Sequence, residues 1–366
     1  MTDGRVMKMA QTIAQYSVSL KPGERFLILT SVPGLPLARE VYREALALGA
    51  LPAVRALLPE IDELLYRRGS DDQIKFVPEY EVQELESLNA RLVIRGDDNV
   101  MALAGVAPTR LTLARQARRP LLERMMARKA VGELKNCLTQ YPTNGSAQQA
   151  GMSLADYEEF VFHACFADRA DPIAAWRELS QQQQQYADFL GGVKTLRVEG
   201  PGTDITLSVD GRKWVNSDGK ANFPSGEVFT SPVEDSVAGR VRFDVPTLFS
   251  GQPVENIELE FKAGRVVTAR AERGDDMLQS ALDTDAGSRT LGEFAFGLNY
   301  GITRPTRNIL FDEKMGDTIH MAVGAGYPET GSQNRSAIHW DMIKDMKDGR
   351  VYADGRLVYE SGRFTV

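Results

Sequence analysis

The sequence predicts two architectures in one chain: an N-terminal α/β domain with a mainly parallel sheet, residues 1–190, and a C-terminal β-rich domain, residues 191–366. Three observations predict this division. Short apolar runs alternate with helically spaced ones in the first half; polar/apolar alternation between turn dipeptides fills the second; and Gly191-Gly192 marks the change of texture.

The elements follow in chain order. The turn Lys21-Pro22-Gly23-Glu24 leads into the run Phe26-Leu27-Ile28-Leu29, a strand. Leu37, Val41, Ala45 and Leu48 then recur at helical spacing from Pro36 until Gly49 stops them. Residues 53–58 and 91–94 are further strand candidates, so strands separated by helices imply right-handed crossovers. No GxGxxG follows the first strand, and a dinucleotide site does not follow from the fold. From about Leu103 to Leu190 the pattern is helical, with Ser153 as a helix cap and the glutamine run 181–185 as the exposed face of a helix ending near Leu190. Beyond the glycine pair, residues 195–199 and 204–209 alternate as strands do, as do 257–261 and 266–271. A short helix is expected over residues 275–281, and the tail is punctuated by the turns Asp348-Gly349, Asp354-Gly355 and Ser361-Gly362.

Composition narrows the function classes. With 43% hydrophobic and 25% charged residues over 366 positions, the chain has the balance of a globular protein with a sizeable core. No run approaches the ~18 apolar residues of a membrane span, and no apolar stretch near the start reads as a secretory signal. The net charge of −7 and the lack of a basic stripe disfavour a nucleic-acid partner; the basic stretch 115–128 alternates with Leu and Met and reads as a solvated helix face. Two cysteines, Cys137 and Cys165, are too few for a disulfide framework or a thiolate zinc site. They read as buried small hydrophobes in a reducing, cytoplasmic compartment.

The chain has three histidines. His163 sits among apolar neighbours and reads as a core residue, whereas His320 and His339 lie in glycine-rich, turn-rich sequence. Neutral imidazole is the commonest metal ligand near neutral pH, so this pair is the starting point. In a strand, His339 and Asp341 share one face and Ile338, Trp340 and Met342 the other. Three histidines among 50 acidic residues would give such a His-x-carboxylate spacing by chance about two times in five, so the motif alone decides nothing. Three further segments point the same way. Glu227 and Glu293 each stand between a glycine and a bulky apolar residue, and His320 lies within the run 316–324. An ionisable group in such a run needs a partner, either a divalent cation or a buried Arg or Lys.

At these segments the sequence resembles the aminopeptidase T/aminopeptidase S family of dinuclear metallopeptidases, over nearly the whole chain. The resemblance is densest in residues 222–230, 291–294, 311–314 and 334–341, with 141–143 and 150–154 upstream. It implies that Glu227, Glu293, His320, His339 and Asp341 hold two divalent ions (Zn, Co or Mn), with Tyr327 beside them. It implies a homodimer, peptide substrates, and a catalytic role for the C-terminal domain. The expected reaction is release of N-terminal residues by a metal-activated bridging water, with three carboxylates setting −3 against +4. Glu293 would bridge the ions, Tyr327 would serve the oxyanion, and Glu329 is a candidate for the substrate α-amine. Asp317 stands where the family resemblance leads us to expect glycine.

The rival reading is a mononuclear Fe(II) ring-cleaving dioxygenase of the hydroxypyridine type, which resembles the same family and would use His320, His339 and Asp341 alone. Such a site has no need of Glu227 and Glu293, and both are present. A binding protein that kept the fold without turnover is the third class.

Overall fold

In the computed structural model, residues 3–249 and 251–366 are described. The chain divides into two compact units, residues 1–173 with 219–223 and residues 174–218 with 224–366.

The first unit is built on a parallel sheet. The strands Arg25–Ser31, Leu51–Leu57, Ala90–Arg95, Lys135–Gln140 and Asn222–Phe223 pair in the order second, first, third, fourth, fifth, every pair parallel. Arg25–Ser31 is buried at six of its seven positions, as a parallel interior strand must be. The helix Leu35–Ala47 ends at Gly49, whose φ of 76° is the left-handed conformation glycine adopts without strain. The region expected to be helical throughout from Leu103 contains the strand Lys135–Gln140. Its sequence KNCLTQ carries neither an apolar run nor clean alternation, so its place between two strands, and not its own pattern, makes it a strand. The helix Leu154–Ala164 is capped by the Ser153 hydroxyl, which accepts from the Asp156 N–H. His163 corrects the sequence reading: it lies on this helix's open side, half exposed, with Nδ1 2.7 Å from Asp168 Oδ2. Both cysteines are buried thiols outside any disulfide, pushed up from their ordinary pKa by burial.

The boundary expected at 190/191 differs from the contact division. The helix Pro172–Leu190 runs from the end of the first unit into the second, and its Ala187 and Leu190 join the apolar cluster of the β-rich unit. The glutamine run on this helix also departs from expectation. Gln183 is fully buried and donates through Nε2 to the Glu227 carbonyl at 2.7 Å.

The second unit stacks two antiparallel sheets on one core. Among the described residues, one sheet has nine strands; the other has five, ordered His339–Asp345, Thr318–Gly324, Leu291–Gly297, Glu227–Thr230, Val215–Ser217. Leu196, Val198, Val241, Leu259 and Tyr359 of the larger sheet and Phe294, Phe296, Met321 and Trp340 of the smaller belong to the same buried cluster. The helix expected at 275–281 is Asp275–Leu282. The turn Asp354-Gly355 has φ of 48° and 83° and joins Arg350–Ala353 to Arg356–Glu360 as a tight hairpin. No helix among the described residues is long and apolar enough to cross a membrane.

Candidate metal centre

Strand pairing gathers the sequence-predicted site residues onto one face of the smaller sheet. Glu227 lies opposite Gly297. Ala295 lies opposite His320, and Glu293 opposite Ala322. Ala322 in turn lies opposite Asp341, and Gly324 opposite His339. Directly opposed residues of antiparallel strands share a face, so Glu227, Glu293, His320, His339 and Asp341 project from the same side. Between them stand Ala295, Gly297, Ala322 and Gly324, small residues that leave the floor open. Val228, Phe294, Phe296, Ile319, Met321, Val323, Trp340 and Met342 face the other way into the core.

One feature of this face is invisible to simple alternation. Leu291 pairs with Val323 and Glu293 with Ala322, so a bulge at Gly292 inserts an extra residue. Without it Glu293 would share a face with the core residue Leu291; the bulge turns the carboxylate to the site. Glycine is required there, because a Cβ would sit 2.4 Å from the Ala325 carbonyl oxygen and 2.5 Å from that of Gly324. Gly226, before Glu227, has φ of 125°, and a Cβ would lie 2.6 Å from Asn299 Cβ. The glycine-glutamate pairs are thus a backbone device for delivering two carboxylates.

The side chains meet at short range. Glu293 Oε2 is 3.0 Å from His339 Nε2, and Glu293 Oε1 is 3.5 Å from His320 Nε2. Asp341 Oδ1 lies 3.4 Å from His339 Nε2, and Glu227 Oε2 lies 3.6 Å from His320 Nε2. Ligand atoms of Glu293, His339 and Asp341 all fall within 4.8 Å of one another, a spacing that fits one ion. The His339 Nδ1–H donates to the Ala325 carbonyl at 2.7 Å, which leaves Nε2 free to ligate.

Donor chemistry gives a fit test for a metal. Glu227 Oε2, Asp341 Oδ1 and His320 Nδ1 are buried without a hydrogen-bond partner. Orphaned buried carboxylate oxygens are costly, and a cation between them removes the cost. Burial works against protonating either imidazole, yet Glu293 beside His320, and Asp341 with Glu293 beside His339, outweigh it and raise both pKa values. Burial also opposes ionising Glu293 and Asp341, and the imidazoles overcome it and lower both. A lone pair facing a carboxylate at 3.0 Å is repulsive unless a proton or a metal ion lies between. The residues present fit divalent cations.

Tyr327 lies beside this cluster. Its ring packs edge-on to His339 and against Phe229, each at 5.1 Å between centroids, and its N–H donates to Ser231 Oγ. Burial, then the carboxylates of Glu293, Asp341 and Glu227, push the phenol well above its usual range. Glu329 is exposed in the turn Pro328–Thr330.

The family model of the thermophilic metalloproteases (M29) matches residues 2–364. The chain belongs to the M29 family. Aminopeptidase 2 of Geobacillus stearothermophilus is 28% identical over 95% of this chain and 90% of its own length. Aminopeptidase T of Thermus aquaticus is 30% identical over 73% and 72%. The solved structure of wild-type AmpT from Thermus thermophilus superposes with a TM-score of 0.87 over 99% of both chains at 24% identity, which shows the same fold. These M29 relatives give the ring-cleaving dioxygenase no support.

Sequence reasoning missed several residues that shape the site. Lys314, fully buried, places Nζ 3.6 Å from Glu227 Oε1 and pairs with Glu313. Of the two partners expected for a buried glutamate, Glu227 therefore has a lysine on one oxygen and an open position on the other. The available signal was a lysine two residues after Asp312, in the segment Phe311-Asp312-Glu313-Lys314. Gln183 fixes the Glu227 backbone from the helix Pro172–Leu190. Two carboxylates pin the loop between Tyr327 and His339. Glu234 accepts from Ser332 Oγ and the Gln333 N–H, and Asp285 accepts from Ser336 Oγ and the Ala337 N–H. The Ala337 N–H holds the Asp285 carboxyl below its ordinary range. Asp317, where the family resemblance leads to glycine, has φ of 63°, a left-handed conformation that glycine adopts without strain.

Proposed function

We propose that this protein releases N-terminal residues from peptides, using two divalent cations (Zn, Co or Mn) held by Glu227, Glu293, His320, His339 and Asp341. The observation that carries the reading is Glu293. One of its oxygens faces His320 at 3.5 Å and the other faces His339 at 3.0 Å, so Glu293 would have one oxygen to offer each half of the centre. When bound, the cations polarise the scissile carbonyl and lower the pKa of water toward neutrality. Glu227, Glu293 and Asp341 with two neutral imidazoles would offset only part of the charge of two dications, which would leave Lewis acidity at the centre.

The chain's own residues do the rest. Ala325 keeps His339 in the tautomer that offers Nε2. The Tyr327 phenol, held protonated by burial and then by the carboxylates around it, donates a hydrogen bond to the oxygen on which charge develops. Glu329, in the neighbouring turn, takes the substrate's α-ammonium. Residues 191–366 supply the catalytic domain, residues 1–190 the α/β domain, and the protein acts in the cytoplasm as a homodimer. Sedimentation at micromolar concentration tests the dimer, and a single species of one 40.4 kDa chain refutes it.

The function is tested with metal-loaded protein and a panel of peptides in free and N-acetylated forms. Residue-by-residue release from the free forms alone is expected. Equal cleavage of the acetylated forms, or no release from any peptide, refutes the proposal.

A further inference from the structure

The centre's two halves are chemically unequal. On one side Glu293 Oε2, His339 and Asp341 converge within 4.8 Å. On the other, Glu227 Oε2 and Glu293 Oε1 flank His320 Nε2, and Glu227 is shared with Lys314. Lys314 has no exposure, so its ammonium cannot turn to water and must stay with Glu227 and Glu313. Glu313 retains 16% side-chain exposure and keeps part of its hydration. The lysine's field also reaches Asp341, behind the stronger effects of His339 and His320.

We propose that Lys314 tunes the centre so that the Glu227–His320 half holds its cation more weakly, and exchanges it more readily, than the Glu293–His339–Asp341 half. This inference rests on the dinuclear reading above. Two effects of Lys314 act on the Glu227 side. By taking Oε1 it directs the unpaired Oε2 toward His320, and losing such orientation typically costs ten- to a hundredfold in metal affinity. As a buried cation on the same carboxylate, 3.6 Å from Glu227 Oε1, it would also repel a dication held there, and in the proposal this repulsion exceeds the orienting gain. The repulsion wins, so the net effect of Lys314 is to weaken that ion. The Glu293–His339–Asp341 half has no ammonium in contact with its carboxylates among the described ion pairs. Lys314 is therefore a positioning residue whose electrostatic cost falls mainly on the ion that Glu227 would hold.

The test is calorimetric titration of the full chain, stripped by chelator, with Mn2+ alone. The wild type is expected to take two ions with affinities at least tenfold apart. Lys314→Met raises the weaker affinity at least tenfold and changes the tighter one less than threefold; Lys314→Arg keeps the separation. Glu227→Gln, which keeps the side-chain volume, removes the weak ion and leaves the tight one, so the assignment stays testable if Lys314→Met does not fold. A weaker or unchanged second affinity in Lys314→Met, or two equal affinities in the wild type, overturns this inference alone. Failure of the wild type to bind any Mn2+ overturns the dinuclear reading beneath it.

Discussion

Replacing Asp312 with asparagine should stabilise the protein above pH 6 and remove part of its pH dependence. Asp312 is 2% exposed on the short helix Ile309–Asp312, and its Oδ1 accepts from the Thr306 N–H at 2.7 Å and from Thr306 Oγ1 at 2.8 Å. Burial pushes its carboxyl from 3.8 up to about 6, and the hydrogen bonds from Thr306 and from the Arg307 and Asn308 N–H groups recover only part of that. The folded protein thus holds this proton more tightly than the unfolded chain. Stability is full below the unfolded pKa, falls as pH rises from about 4 to 6, and stays reduced above. At 1.36 kcal/mol per pKa unit the penalty at neutral pH is roughly 3 kcal/mol. Asparagine keeps the Oδ1 acceptor and cannot ionise, but it buries an amide N–H2, so a net gain of about 1–2 kcal/mol is expected. Urea denaturation of metal-free protein between pH 4 and 8 measures it. A variant less stable than the wild type at pH 8, or a difference that does not change across pH 4–6, refutes the reasoning.

Three further outcomes follow from the site. Gly226→Ala forces a Cβ against Asn299 at a φ of 125°, and should cost about 1–3 kcal/mol in thermal unfolding and weaken metal binding. Gly4→Ala, where nothing lies within 4 Å, is the silent control, and equal melting of the two variants contradicts the account. Tyr327→Phe should lower kcat about 10²–10³-fold with little change in KM; a kcat within threefold of wild type removes the phenol from the mechanism. Because carboxylates raise both His320 and His339 in the metal-free protein, a cation must displace protons, so Mn2+ affinity should fall from pH 8 to pH 6 by up to about tenfold per unit for each proton displaced. A pH-independent dissociation constant refutes that.

The sequence made the site's composition legible because period-2 alternation is local. The expectation that His339 and Asp341 share a face while Trp340 and Met342 enter the core needed only the strand itself, and Trp340 is 4% and Met342 0% exposed. What alternation cannot show is a reset of phase. The Gly292 bulge separates Leu291 from Glu293 through the approach of the 324–325 backbone, a contact between distant segments. Gln183 was hidden for a related reason: polarity marked its helix face as solvated, but its amide is consumed by the Glu227 carbonyl. His163 shows the converse error, since apolar neighbours at helical spacing need not place the residue between them on their own face. The strand Lys135–Gln140 escaped because its β structure comes from parallel pairing on both edges. Lys314 stood in a segment singled out by the family resemblance, but its partner is identifiable only where the chain brings Glu227 to it.

Anomalous diffraction from crystals soaked in Mn2+ or Zn2+ probes the account most directly. Two peaks are expected on either side of the Glu293 carboxylate, one shared with Glu227 and His320 and the other with His339 and Asp341. A single peak bound by His320, His339 and Asp341, with Glu227 and Glu293 outside its coordination, would contradict it.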